Sequence, residues 1–282
     1  MPIIRAHDQF YTCSETARYC VEQVLALPCC RDPDIVFLEP SAGAGAFLEL
    51  LPADSRLGLD IEPRHPEVLE QDFLAYELPD TLAHRPVVVV GNPPFGRNAS
   101  LAVRFVNQAA RIGDVIAFIL PKTFQKTSTV RRLDPHLHLI AEYELPAFSF
   151  VFEGKPWDVP CTFQVWERRD ELRVDEEGVF THDDFTFVRR SEAQFAVRRV
   201  GRSAGIVIRD FANYSRMSHH FVRAHDPEAV IDVLNQVDWT AIRTRTAGVP
   251  CVGKEEIVRM YSAQKASTAA AVEATPHFHI ED

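Results

Sequence analysis

The sequence lacks the features that mark membrane proteins, secreted proteins and many metal-binding proteins. No apolar run approaches the ~18 residues that a membrane-spanning helix requires, and the opening MPIIRAHDQF has no basic segment followed by an apolar one, so secretion is not expected. The six cysteines form no C-x-x-C pair, which argues against a zinc ribbon or a redox motif and favours reduced, buried thiols. We therefore expect a cytoplasmic protein, or a nuclear one in a eukaryote, with no membrane partner.

Signatures of several enzyme classes are missing too. The chain contains neither G-x-S-x-G nor H-E-x-x-H, so it shows no hydrolase nucleophile elbow and no zinc-protease helix. The adjacent pair His219-His220 is expected to be exposed polar surface rather than a metal site, and no metal is expected elsewhere.

Positive charge is scarce overall but concentrated in one segment. With 30 Lys and Arg against 40 Asp and Glu, the 282-residue chain has a formal net charge of −10, which by itself discourages nucleic-acid binding. Residues 189–223 nevertheless hold eight arginines and two acids, whereas residues 167–184 hold eight acids. The acidic stretch is expected to be a linker or an exposed hairpin. The arginines are either solvated or paired to those acids, or they form a surface that follows nucleic-acid phosphates.

The sequence does contain an alternation of buried strands and helices. The run VVVV at 87–90 has no polar residue, which is typical of a parallel strand covered on both faces. Strands and helices alternating at this spacing predict an α/β protein with a doubly wound, mostly parallel, Rossmann-like sheet, followed by a smaller C-terminal α+β region. The predicted strands cover 35–39, 56–60, 87–90 and 115–120; the predicted helices cover 12–27, with Thr12 and Glu15 as a capping box, 46–51 and 99–111.

A glycine pair follows the first predicted strand, in EPSAGAGAF. Gly43 and Gly45 permit a tight turn and the close approach of a ligand, and the helix start that follows offers free N–H groups. A dinucleotide fingerprint would place a third glycine at position 48, where this chain has Leu48, so NAD is disfavoured. The second strand ends on Asp60, where a carboxylate can accept from both hydroxyls of an adenosine ribose.

The third predicted strand ends in GNPPF, residues 91–95. Each proline fixes φ and removes an N–H donor, so the Pro93 carbonyl is held rigid and can accept a hydrogen bond. Asn92 adds a side-chain carbonyl beside it, and Phe95 offers a face on which a planar base can stack. Two fixed acceptors can hold both hydrogens of an exocyclic amine, which indicates a site for an amino-bearing base. The alternative is a proline-stiffened loop with a buried aromatic ring.

Together these segments resemble one family. FLEPSAGAGAF, GLDIEP, QDFLAY and GNPPF occur in the order and spacing of S-adenosylmethionine-dependent amino-methyltransferases that act on adenine N6. DQFYT at 8–12 resembles the cofactor-contacting segment of members with the γ arrangement, and FILPKTF at 118–124 resembles their fifth-strand segment. The resemblance covers roughly residues 8–166 and implies S-adenosyl-L-methionine as the cofactor. It also implies a methyl transfer to a base that is single-stranded or flipped out of a duplex.

The resemblance implies a role for each matching residue. The methionine portion of the cofactor would contact Tyr11, Thr12, Glu39, Pro40, Ser41, Gly43 and Gly45. The remaining cofactor contacts would be Asp60 with the ribose, Asp72 with the adenine amine and Phe73 with the adenine ring. Asn92, also close to the cofactor, and Pro93 would bind the target amine, with Pro94 completing the turn and Phe95 stacking on the target base. A second aromatic clamp is expected among Phe150, Phe152 and Trp157.

We accordingly expect a catalytic domain over 1–170, a nucleic-acid recognition region over 171–265 and a loosely held tail over 266–282. Arg198, Arg199 and Arg202 flank Gly201, where a tight backbone lets a phosphate approach, and they are expected to bind nucleic acid. DNA is the favoured substrate, and RNA is the alternative because enzymes of RNA loops and mRNA caps share NPPF. Protein glutamine methylation is a third reading, although that family places its extra helical domain before the catalytic one. A non-enzymatic binding subunit is disfavoured because neither motif is degraded.

Overall fold

The chain divides into two compact units, residues 1–176 and 177–282, in a computed structural model that describes residues 11–82, 84–152, 154–174, 178–246 and 249–273. The sequence placed this boundary at 170/171. None of the helices within these ranges is long and apolar enough to cross a membrane.

The first unit is built on a seven-stranded sheet. In spatial order its strands are β4-β3-β2-β5-β6-β10-β7, of which β4 to β6 are parallel while β10 is antiparallel to both its neighbours. The predicted doubly wound, mostly parallel sheet is thereby confirmed. Its strands are β2 (Val36–Glu39), β3 (Arg56–Asp60), β4 (Val68–Glu70), β5 (Val87–Gly91), β6 (Val115–Pro121), β7 (Leu137–Glu144) and β10 (Cys161–Arg168), and a small separate sheet pairs β1 (Tyr11–Thr12), β8 (Phe150–Phe152) and β9 (Lys155–Trp157).

Both faces of the large sheet are covered because its strands are apolar on both sides. Side chains alternate along a strand, so Val87 and Val89 of β5 join the cluster that contains helix α2 (Ser100–Ile112). Val88 and Val90 join the opposite cluster, which contains helix α1 (Ser14–Ala26). The four valines are therefore part of the buried centre of the sheet, and a functional site can form only at the ends of the strands.

Two local predictions about the first unit are wrong. Thr12 does not cap α1 but lies in β1, where it pairs with Phe150 of β8. Cys13 is the N-cap instead, and its side chain makes no capping hydrogen bond to the backbone. A strand pairing with a residue far along the chain has displaced the local capping box. The segment 46–51 forms only the short 3-10 turn Leu48–Leu50, because Leu51 is extended before Pro52, as residues preceding proline usually are.

The second unit has its own core. A four-stranded antiparallel sheet, in the order β11-β14-β12-β13, packs one face against helices, which agrees with the predicted α+β region. Residues 266–273, expected to belong to a loose tail, continue the last helix, and 274–282 lie outside the described residues. The elements are β11 (Phe185–Phe187), β12 (Phe195–Arg198), β13 (Val207–Ile208), β14 (His219–Ala224), α4 (Pro227–Gln236), α5 (Thr240–Arg243) and α6 (Lys254–Glu273), and the first unit also contains the single turn α3 (Thr127–Val130).

Candidate cofactor and substrate site

The predicted site residues of the first unit gather where the strand order reverses. The chain runs from β2 outward through β3 and β4, and then returns to the other side of β2 with β5. Such a reversal opens a crevice beyond the carboxyl ends of the central strands. Glu39, Asp60 and Gly91 are the last residues of β2, β3 and β5. The Ser41 hydroxyl donates to the Asn92 carbonyl oxygen at 3.1 Å, which ties the segment after β2 to the segment after β5.

The two glycines of the turn after β2 serve different purposes. Both have positive φ, +51° at Gly43 and +85° at Gly45, a region that favours glycine. A Cβ at Gly45 would lie 2.9 Å from Cδ2 of His65, so the turn is closed there by packing. A Cβ at Gly43 would have its nearest neighbours at 3.9 Å, in the Asp60 carboxylate and the Tyr11 ring. The backbone at Gly43 is thus the part of the turn that a ligand can approach.

Asp60 anchors this turn while keeping acceptor capacity. Its Oδ2 accepts from the Gly43 N–H at 2.8 Å, and its Oδ1 accepts from the Glu62 N–H at 2.8 Å. A carboxylate has about four lone-pair positions, so each oxygen can accept one more hydrogen bond. The half-buried side chain is therefore suited to bind a pair of hydroxyl groups beside the glycine turn.

Glu39 lies beneath the turn rather than on its surface. Its side chain is fully buried, and Oε2 accepts from the Leu48 N–H at 2.7 Å. Burial raises the pKa of Glu39 to about 8, the nearby Asp60 adds to this, and hydrogen bonds from the Leu48 and Phe47 backbone oppose it. Glu39 consequently holds the turn from inside the fold.

The start of the described chain lies beside the glycine turn, with the Tyr11 ring 3.9 Å from the position of a Cβ at Gly43. Tyr11 and Thr12 form β1, which pairs with β8; the preceding residues of DQFYT lie outside the described residues. The Tyr11 hydroxyl accepts from Nη1 of Arg64 at 2.6 Å, and the Arg64 guanidinium lies 5.4 Å from the centre of the Tyr11 ring. The Arg64 N–H also donates to the Gly43 carbonyl at 2.9 Å. Sequence reasoning missed Arg64; the available signal was a cation four residues after Asp60 in GLDIEPR.

Asp72 and Phe73 follow β4. The exposed Asp72 accepts from the Leu74 N–H at 2.9 Å and caps a single 3-10 turn, Phe73–Ala75. Phe73 is only 1% exposed, and its ring packs 5.3 Å from that of Phe105 in α2. The Phe73 ring is therefore a core side chain that cannot stack on a ligand, and only its backbone N–H can contribute. An apolar surface is offered instead by Ile61, which follows Asp60 and is 51% exposed; sequence reasoning did not single it out.

The NPPF turn extends directly from β5. Pro93 is buried, whereas Asn92, Pro94 and Phe95 are half-buried. The Phe95 ring contacts the clusters on both faces of the sheet, and its carbonyl accepts from the N–H groups of Leu101 and Ala102, which fastens the turn to α2. Among the described residues, no hydrogen bond ends on the Pro93 carbonyl, as expected for an acceptor held in reserve.

The structure reduces the three candidates for the second aromatic clamp, Phe150, Phe152 and Trp157, to two. Phe150 is fully buried in the core and offers no open face. The rings of Phe152 and Trp157 lie 5.9 Å apart at 56°, and Trp157 is 49% exposed. Phe148, which the sequence reasoning passed over, is exposed and has a φ of +58°. A left-handed backbone is uncommon for an aromatic residue and draws attention to the site.

In the second unit the eight arginines of residues 189–223 are all exposed. Arg209 pairs with Glu228, but in the described part of the chain Arg198, Arg199 and Arg202 form no ion pair. The Arg198 guanidinium bends toward the Gly201 turn, where Nε donates to the Val200 carbonyl at 3.2 Å. Pairing of these three arginines to the described acids of 167–184 is therefore not observed.

The expectation that His219-His220 is exposed polar surface is wrong. His219 is 3% exposed, and His220 shares a hydrogen bond with the Val252 carbonyl at 3.1 Å. Burial lowers the pKa of His220 to about 4. Both residues lie in β14, where the Tyr214 ring packs 4.2 Å from the ring of His219 and the Phe187 ring packs 5.7 Å from that of His220. No group of three or more His, Cys, Asp or Glu side chains within the described ranges could hold a metal ion.

No family model and no curated protein matches the chain, but solved structures are similar to it. A Listeria monocytogenes protein described as a class I S-adenosylmethionine-dependent methyltransferase is 19% identical, over 61% of this chain and 65% of that one, with a TM-score of 0.42. A Pyrococcus horikoshii protein described as an RNA methyltransferase is 16% identical over 58% and 88%, with a TM-score of 0.44. The 23S rRNA methyltransferase ErmE is 15% identical over 91% and 100%, with a TM-score of 0.41. The chain spans just under two thirds of the length of the Listeria protein.

Proposed function

We propose that this protein transfers the methyl group of S-adenosyl-L-methionine to the exocyclic N6 amine of adenine in DNA. The observation that carries the proposal is the junction between the glycine turn and the NPPF turn, which the Ser41 hydroxyl bridges to the Asn92 carbonyl at 3.1 Å. A turn suited to a nucleoside-containing cofactor thereby adjoins a pair of fixed acceptors suited to an amine. The resemblance of GLDIEP, QDFLAY and GNPPF to adenine-N6 methyltransferases supports the same assignment.

On the cofactor side, the described residues fit each part of S-adenosylmethionine. The open backbone at Gly43 lets the ligand approach, and Asp60 has the lone pairs to accept from two ribose hydroxyls. Arg64, held against Tyr11, supplies the donors that the methionine carboxylate needs. Exposed Ile61 offers an apolar surface to the adenine, whose amine Asp72 can accept from. When bound, the cofactor supplies a methyl group already activated by a positively charged sulfonium.

On the target side, the protein positions an amine. Asn92 Oδ1 and the Pro93 carbonyl can accept the two hydrogens of an exocyclic amine and so direct its lone pair out of the ring plane. These acceptors are preorganised by the prolines and by the attachment of the turn to α2. Phe95, with Phe152 or Trp157, would hold the base between rings, which requires a base that is unpaired or flipped out of a duplex.

A methyl-transfer assay tests the proposal directly. Isotopically labelled S-adenosylmethionine is supplied with duplex DNA, single-stranded DNA or RNA oligomers, each with and without adenine. We expect label only in adenine-containing strands, preferentially DNA, with N6-methyladenine as the product on digestion. Preferential labelling of RNA would replace DNA with the alternative substrate. Labelling of protein glutamine, or of no substrate despite measured cofactor binding, would overturn adenine methylation.

Replacement of Asn92 by Ala tests the amine-binding role. We expect near-normal cofactor affinity but a turnover reduced about 10²-fold or more, as when one preorganised polar partner is removed from other active sites. Single-turnover rates and cofactor titrations measure the two effects separately. The matched control is Asn235→Ala, which removes an exposed amide on α4 and should leave both unchanged. Single-turnover rates within a fewfold of the parent would show that Asn92 does not orient the amine.

A further inference from the structure

A short segment covers the outer face of the sheet in the second unit. Residues 209–218 connect β13 to β14, and two of their aromatic rings contact the face that points away from the helices. The Phe211 ring lies 5.8 Å from that of Phe221, and the Tyr214 ring lies 4.2 Å from that of His219, at 31°. His219 and Phe221 are both buried, and this segment covers them on the face opposite the one that packs against the helices of the second unit.

Tyr214 differs from the rings beneath it because it remains accessible. His219 is 3% exposed, whereas Tyr214 is 43% exposed. One side of the Tyr214 ring is therefore supported by an imidazole and the other side is open to solvent. The His219 Nε2 is buried with no hydrogen-bond partner among the described residues, which is unusual for a packed core. The other ring nitrogen, Nδ1, shares a hydrogen bond with the Ser218 hydroxyl at 2.9 Å, and that hydroxyl donates to the Ser215 carbonyl at 3.1 Å. The imidazole is therefore tied to the segment that carries Tyr214 and also contacts the Tyr214 ring.

The position of Tyr214 is fixed by its backbone. Its N–H donates to the Phe211 carbonyl at 3.1 Å, and its carbonyl accepts from Nη1 of Arg190 at 3.0 Å. A ring held in place before a ligand arrives loses little conformational entropy when the ligand binds. With its backbone held by these two hydrogen bonds and its ring packed on His219, Tyr214 is suited to act as a preorganised flat surface.

Two arginines neighbour this ring, one through strand pairing and one along the chain. Arg198 is the partner of His219 across β12 and β14, and Arg216 follows Tyr214 by two residues in the same segment. Both arginines are exposed, and within the described residues neither forms an ion pair. Aromatic rings with flanking arginines are the means by which proteins hold single-stranded nucleic acid, because bases stack on the ring while the cations contact phosphates.

We propose that Tyr214 is a stacking platform for an unpaired nucleobase, with Arg198 and Arg216 contacting the adjacent phosphates. The proposal rests on the proposed nucleic-acid substrate and adds a binding position outside the methyl-transfer site. The shared chemistry is an unpaired base between phosphates, which both single-stranded DNA and RNA supply.

Fluorescence anisotropy with three labelled oligomers tests it: single-stranded DNA, RNA of the same sequence, and the DNA strand with abasic residues. Tyr214→Leu keeps an apolar cover over His219 but removes the flat ring. We expect this variant to bind base-containing strands about tenfold more weakly and the abasic strand equally well. Tyr214→Trp should bind at least as tightly as the parent. The control Phe180→Leu, at another exposed ring of the same unit, should change nothing.

The outcomes separate this inference from the proposed function. If the parent protein binds the oligomers and Tyr214→Leu binds them equally, the platform is wrong while methyl transfer is untouched. A parent with no preference for base-containing over abasic strands also overturns the platform, even where the Leu variant is unstable. A parent that binds no nucleic acid at all defeats the proposed function itself. A larger loss on RNA than on DNA, or the reverse, identifies which strand uses the platform.

Discussion

At the end of β3, the Asp60 carboxylate accepts from two backbone N–H groups and still has lone pairs for a ligand. Asp60→Ala removes the anchor of the glycine turn and, with it, the proposed acceptor of the ribose hydroxyls. We expect S-adenosylmethionine to bind more weakly by roughly 1.5–3 kcal/mol, the range for hydrogen bonds to a charged group. Titration calorimetry measures the change. Asp54→Ala, which removes an exposed acid of the same unit, is the control, and an unchanged dissociation constant for Asp60→Ala would exclude Asp60 from the site.

Glu39 gives the folded protein a pH dependence of its own. Because its folded pKa is raised from 4.5 to about 8, the folded state binds a proton more tightly than the unfolded state does. The stabilisation from this proton is complete below the unfolded pKa and is lost as pH rises through about 8. We therefore expect the melting temperature of the ligand-free protein to fall as the pH rises from about 4.5 to about 8, and to fall less steeply in Glu39→Gln.

We expect the same carboxyl to couple cofactor binding to the release of a proton. A sulfonium or ammonium group placed above Glu39 favours its ionised form, so S-adenosylmethionine should displace a proton near neutral pH. Calorimetric titrations in two buffers with different ionisation enthalpies count the protons released. Glu39→Gln should release fewer. Melting profiles of the variant and the parent that superimpose across the pH range, together with equal proton release, would show that Glu39 does not titrate in this way.

At the scale of the element, the different roles of Gly43 and Gly45 in the glycine turn can be distinguished by experiment. Gly45→Ala places a Cβ 2.9 Å from the His65 ring, at a φ of +85°, so we expect a clear loss of melting temperature. Gly43→Ala has space for its Cβ but narrows the open backbone beside Asp60 and Tyr11. It should weaken cofactor binding more than it lowers stability. Thermal melts and cofactor titrations of both variants give the comparison, and equal effects of the two on both quantities would contradict it.

The elements that the sequence predicts well are those whose signal is local. The four valines of β5 are all apolar, so their burial can be predicted from the residues themselves. Asp60 ends its strand and Asn92 directly follows one, so the fold class predicts that both lie at the carboxyl ends of the parallel strands. Thr12 was misassigned because its partner Phe150 lies far along the chain, and a local capping pattern cannot report such a pairing. Phe73 is buried by packing against α2, and His219 is buried by the segment 209–218. Local sequence patterns do not encode these contacts. Arg64 was missed because a single arginine after a strand looks like an ordinary surface residue. Only the structure shows its contact with Tyr11, which is far from it along the chain.

For the molecule as a whole, the net charge of −10 is compatible with a nucleic-acid substrate because the charge is unevenly distributed. The second unit contains all eight arginines of residues 189–223, every one of them exposed, and Arg209 already has an acidic partner in Glu228. The exposed and unpaired members are the ones that can exchange counterions for phosphates. The affinity for nucleic acid should then fall with rising salt concentration far more steeply than the net charge of the protein suggests.

Replacement of Arg199 and Arg202 by Ala measures that contribution. Each phosphate contact releases counterions and contributes about −0.7 to −0.9 to the slope of log affinity against log salt. The double variant should flatten the slope by up to two such contributions and weaken all sequences about equally, since phosphates carry no sequence information. Filter-binding curves from low to moderate salt give the slopes. Arg31→Ala with Arg104→Ala removes the same charge from exposed positions of the first unit and should leave the slope unchanged. If the parent and the Arg199/Arg202 variant give superimposed lines, these two arginines do not contact the nucleic acid, and the phosphate-following surface must be sought elsewhere.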